Sequence, residues 1–169
     1  MLNIIGKVMY KKNIIIATIL LTISIPSNAQ PASCNQITSD KDDFTNEVTS
    51  RTSFINTVQI TKLKSGSNNP QYYLSLSTVG QTVVVDGYGA IILFEDGEKL
   101  SKSAKIEVDA IESGFKYTAF IPLTNADIKL LKSKKISKYK LYIFEQTLSE
   151  VKANIFIEDV NCIINTEIF

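Results

Sequence analysis

The sequence predicts a mainly β domain, a two-layer β-sandwich-like fold with a short helix near 125–133 and a C-terminal helix near 150–165. An α+β arrangement is the alternative. Three observations predict this. Apolar and polar residues alternate with period two through short segments bounded by glycine, asparagine or proline. A continuous apolar run, Ala90 to Phe94, is bracketed by glycines and leads into Asp96-Gly97, as a central strand entering a two-residue hairpin turn does. The period lengthens to that of a helix only near the C-terminus, twice, each time behind a residue suited to capping, Thr124 and Ser149.

Residues 1–29 read as a secretory signal peptide. Lys7, Lys11 and Lys12 form its basic start, Ile14 to Ile25 is uncharged and apolar, and Ser27-Asn28-Ala29 places small residues at a cleavage site before Gln30. A membrane anchor is the alternative, but the run is short of the ~20 residues a spanning helix needs. Residues 30–169 then form a single β-rich domain, exported to the periplasm or the extracellular space, with no transmembrane segment in the mature chain. The net charge of +1 turns slightly acidic once the leader lysines are gone, which argues against nucleic acid as a partner.

Two cysteines, Cys34 and Cys162, remain in an oxidising compartment, and a disulfide joining the two ends of the domain is expected. In the loop-entropy account, closing so long a loop stabilises by about 4–5 kcal/mol as an upper figure. Lipid attachment at Cys34 is the competing reading, weakened because no aliphatic residue leads Pro31-Ala32-Ser33.

Asp40-Lys41-Asp42-Asp43 gathers carboxylates like the front of a calcium loop, but no glycine stands sixth and no glutamate twelfth, so a solvated turn is expected. Val58 and Ile60 open a strand in which Leu63 falls out of phase, suggesting a bulge. Tyr72, Leu74, Leu76 and Thr78 share one face of the next strand, and Tyr73, Ser75 and Ser77 form an outer row that could bind a sugar or a protein. In the central strand Ala90 to Phe94, five apolar residues in a row predict that both faces are covered. Ile106, Val108 and Ala110 alternate with Lys105, Glu107 and Asp109 as in a half-exposed strand. Phe115, Tyr117, Ala119 and Ile121 continue the pattern until Pro122 stops it.

Thr124 and Asp127 fit a capping box for the short helix. Tyr139, Leu141 and Ile143 share a face of the following strand. In the last segment Ile155 and Ile157 would suit a strand, but Ala153, Phe156, Ile157, Val160, Ile163 and Ile164 mark one apolar face of a helix, and a helix carrying Cys162 is expected.

The Ser-Asn-Ala-Gln end of the leader, Asp43-Phe44-Thr45-Asn46-Glu47, Ile91 to Gly97, Ala119 to Thr124 and Lys140 to Phe144 together resemble small secreted proteins of unknown function of the Bacteroidetes type. The resemblance implies a location and no activity.

The chain has no histidine, which removes Ser-His-Asp and Cys-His catalysis and the usual zinc sites. Ser-x-x-Lys at Ser113, Ser137 and Ser149 lacks its partner motifs. No glycine-rich phosphate loop occurs, and neither a metal nor a cofactor is expected. Glu95, Asp96 and Glu98 cluster at a hairpin tip, where tuning of their acidity is poor. Lys129, Lys132, Lys134, Lys135, Lys138 and Lys140 suggest a surface for an anionic partner, against the plainer reading of a solvated helix end and strand edge. An outer-membrane barrel would alternate apolar residues back from Phe169, and Glu167 and Asn165 break that pattern. The expectation is a non-catalytic binding or envelope-interaction module whose partner is an envelope protein or a glycan. The alternative is a small carboxylate-dependent enzyme acting on a glycan.

Overall fold

A computed structural model describes Cys34 and residues 36–54, 57–83 and 87–166 of the chain. The leader over 1–29 and the Phe169 terminus lie outside the described residues. The elements run β1 (Thr38–Lys41), β2 (Glu47–Arg51), β3 (Val58–Ser65), β4 (Gln71–Gly80), β5 (Tyr88–Phe94), β6 (Lys99–Ile111), β7 (Gly114–Leu123), α1 (Asn125–Ser133), β8 (Ile136–Leu141), β9 (Phe144–Thr147) and α2 (Glu150–Asn165). The mainly β class and both helices agree with the sequence. All strands join one open antiparallel sheet in the order β1-β2-β3-β4-β7-β6-β5-β8-β9. The two layers are arms of that sheet. Strand β6 is the joint: Lys99 to Lys105 face β5, and Ile106 to Ile111 face β7.

The arms meet again through aromatic side chains. Phe144 of β9 stacks on Tyr117 of β7 with ring centroids 4.3 Å apart. The Tyr139 hydroxyl of β8 donates to the Ser77 carbonyl of β4 and to the Thr57 carbonyl. Burial pushes the Tyr139 pKa up to about 12, so the hydroxyl keeps its proton for these bonds. Gly80 is required here, because a Cβ on it would lie 2.3 Å from the Phe144 ring.

The core lies on the inner side of the curl. Val58, Ile60, Leu74, Leu76, Ile92 and Phe94 meet Phe156, Val160 and Ile163 of α2 there. Each such side chain contributes about 1.5–3 kcal/mol by burial. The Cys34–Cys162 disulfide, with Cα atoms 5.3 Å apart, ties the last turn of α2 to the segment before β1. No described helix is long and apolar enough to cross a membrane.

Four local expectations change. No bulge occurs at Leu63: the β3–β4 register runs unbroken to Leu63↔Gln71. The inward phase is kept instead by Lys62, only 6% exposed, whose Nζ donates to the Thr166 carbonyl at 2.7 Å. A lysine stem can bury while its ammonium sits at the carbonyl end of a helix, where positive charge is favoured. Desolvation, then repulsion from Lys64, lowers its pKa. Second, β5 is covered on one side only. Ala90, Ile92 and Phe94 are buried, but Ile91 is 40% exposed, because the helices pack on the inner side of the sheet. Third, the turn after β5 has three central residues, Glu95-Asp96-Gly97, with Gly97 at φ +85°, as in a hairpin closed by a glycine bulge. Fourth, the strand expected to carry Tyr139, Leu141 and Ile143 on one face ends at Leu141, and Ile143 lies exposed in the turn to β9.

Candidate functional site

The acidic and basic clusters of the sequence answer each other. The Lys134 ammonium bonds both Asp96 and Glu98. Its hydrogen bond holds the Asp96 carboxyl below the usual carboxylate range, the wrong direction for a proton donor at neutral pH. Asp42 is likewise engaged: its Oδ1 accepts the amides of Phe44 at 2.8 Å and Thr45 at 3.0 Å, which closes the β1–β2 turn. Among the described residues, no three Asp, Glu or Cys side chains are grouped so that they could hold a metal ion.

The six lysines disperse. Lys129 and Lys132 lie on α1, and Lys134 is taken by its acids. Lys135 precedes β8. Lys138 bonds Glu145 at 2.7 Å. Lys140 points outward on β8, opposite Ile91, with no ion pair among the described residues. The Tyr73-Ser75-Ser77 row does lie on the outer face of β4, but Ser75 is 2% and Ser77 3% exposed. Their short side chains sit below longer neighbours such as Phe120, which faces Ser75 across β7. Direct contact with a ligand is left to Tyr73 and Phe120.

A groove of about 320 Å³ opens elsewhere, on the outer face of the second arm. It is built at an irregularity. The β5–β6 register slips between Tyr88 and Ala90, and Gly89 takes φ +95°. The Gly89 carbonyl accepts the Tyr142 amide at 3.1 Å. Tyr142 opens the two-residue β8–β9 turn with φ +55°, a conformation that glycine or asparagine adopts readily and a bulky aromatic rarely does. Tyr88, 61% exposed, and Tyr142, 45% exposed, line the groove together with Ile91, Ser101, Ser103 and Lys140. Lys102, also at the groove, alternates inward and bonds Asp127 of α1.

The face around the groove is basic. Along β5, the adjoining half of β6, β8 and β9, the outward charged residues are Lys99, Lys105, Lys138, Lys140 and Glu145, and Glu145 is already bound to Lys138. The sequence grouped Lys138 and Lys140 with the helix lysines. Strand pairing groups them with Lys99 and Lys105, which lie far away in the chain. Tyr88, Ile91, Ser101, Ser103 and Tyr142 were missed as a set. No local signal marked them, because the Tyr142-Ile143 tip carries no turn-forming residue. A second cavity, about 440 Å³, is lined by Val83, Lys105, Ile106, Glu107, Val108, Ala110 and Phe115; Lys105 and Glu107 are its only charged residues, so Lys105 stands between this cavity and the groove.

Comparison with protein-family models, curated proteins and solved structures returns no match.

Proposed function

We propose that the protein is an exported, non-catalytic binding module that engages cell-envelope material through the groove between Tyr88 and Tyr142. The leader expected over 1–29 and the Cys34–Cys162 bridge support export. One observation carries the binding role. Tyr142 occupies a left-handed position that disfavours it by about 1–2 kcal/mol, and it borders a groove faced by a second exposed tyrosine. Backbone strain kept against local preference concentrates at functional sites.

The test is Tyr142→Gly, assayed on protein recovered from its exported location with Gln30 first. Relief of the turn should leave stability unchanged or raise it by about 1 kcal/mol. Retention on an isolated envelope fraction should fall at least tenfold. A variant that is destabilised and still binds would assign Tyr142 to the fold and overturn the reading. Recovery of only the uncleaved chain would remove export.

A further inference from the structure

We infer that the groove takes an acidic glycan, a saccharide chain bearing carboxylate groups. This rests on the groove being the binding site and names its ligand class. The lining supplies what a sugar ring needs. Two tyrosine rings can pack against its C–H faces, Ile91 gives a small apolar floor between them, and the Ser101 and Ser103 hydroxyls can exchange hydrogen bonds with ring hydroxyls. The surroundings add the charge requirement. Lys140 lies in the groove. Lys105 pairs across from Tyr88, and Lys99 pairs across from Leu93. None of the three has an ion pair among the described residues. Lys99 and Lys105 lie six positions apart on one strand, about 20 Å, so the cations track a chain of several rings.

Two other polyanions fit less well. Nucleic-acid surfaces favour arginine, and the only arginine of the chain, Arg51, lies on β2 bound to Asp40. A bilayer could take up the exposed Ile143 at the β8–β9 tip, but Ile91 and both tyrosines are turned to the groove lining, and vesicles are therefore one arm of the test.

The experiment titrates the protein with oligogalacturonate, alginate oligomers and hyaluronan fragments, each beside its carboxyl-reduced neutral counterpart, and with phosphatidylglycerol vesicles. At least one acidic oligomer should bind tenfold or more tighter than its neutral form. Lys105→Gln with Lys140→Gln should erase that preference, and Tyr142→Gly should weaken both forms. Equal binding of acidic and neutral oligomers, lysine-dependent binding to vesicles alone, or no oligomer binding overturns the acidic-glycan inference. The groove reading then survives only if envelope retention still depends on Tyr142. Envelope retention indifferent to Tyr142 overturns the groove itself.

Discussion

Asp127 on α1 and Asp159 on α2 are both almost fully buried, at 4% and 3% exposure, yet their carboxyls shift in opposite directions. Burial pushes each upward. At Asp127 that push is outweighed by the Lys102 ammonium at 2.5 Å, the Thr124 amide at 2.7 Å and the Thr124 hydroxyl at 2.7 Å, and the pKa lies below its ordinary value. At Asp159 nothing outweighs it. Its Oδ2 has no hydrogen-bond partner among the described residues, the neighbouring Glu158 adds repulsion, and the pKa is pushed up to about 6. Depth alone therefore does not set the charge of a buried acid; the donors that reach it do.

The largest effect is expected from Asp127→Ala. It removes half of the capping box and leaves the Lys102 ammonium, itself largely covered, without its carboxylate. The loss should be about 2–3 kcal/mol by denaturant unfolding. In the native protein the depressed pKa gives stability that is present above the ordinary value of 3.8 and lost as pH falls through the folded value. The variant should lack that acid-side decline. If it unfolds at the same denaturant concentration as the parent, the contrast with Asp159 has no energetic content.

Asp159→Asn comes next and has the opposite sign. With a folded pKa near 6 against 3.8 unfolded, the native state holds the proton more tightly. The contribution of Asp159 to stability is then greatest below about pH 4 and declines as pH rises through 6, by on the order of 2–3 kcal/mol. The neutral amide should flatten that decline and leave the protein more stable than the parent at pH 7. A parent whose stability is level between pH 4 and 7 would sink the assignment.

The same contrast between local and distant causes decides what was legible in the sequence. Thr124 and Asp127 are three residues apart, so their capping box could be read directly, as could the Ser149 cap. The disulfide followed from compartment and cysteine count. Strand existence followed from period two. Features fixed by distant partners were not visible. Lys62 turned inward because the end of α2 reaches it, Ser75 and Ser77 were covered by neighbours across the sheet, and Ile91 stayed exposed because no described helix crosses the outer face. Lys140 joined Lys105 only through the pairing of β5 with both β6 and β8. The turn after β8 could not be anticipated either, since Tyr142 violates the local rule that would have marked it.

The two N-caps give the smallest test and separate local from tertiary support most cleanly. Thr124 accepts the Asp127 amide at 3.3 Å and donates back to the Asp127 carboxylate, so its hydroxyl serves the helix end and the buried charge together. The Ser149 hydroxyl accepts only the Lys152 amide among the described residues, at 3.4 Å and in solvent. Both are side-chain oxygens at the start of a helix, and cap statistics alone would rank them together. The geometry ranks them apart. Thr124→Ala should lower stability by about 1–2 kcal/mol, and because a donor to Asp127 is lost, it should also raise the pH at which acid unfolding begins. Ser149→Ala should lower it by about 0.5 kcal/mol and leave the acid limb in place. Equal losses with equal acid limbs would mean that the Thr124 hydroxyl supports the helix end alone and that Lys102 by itself keeps Asp127 ionised.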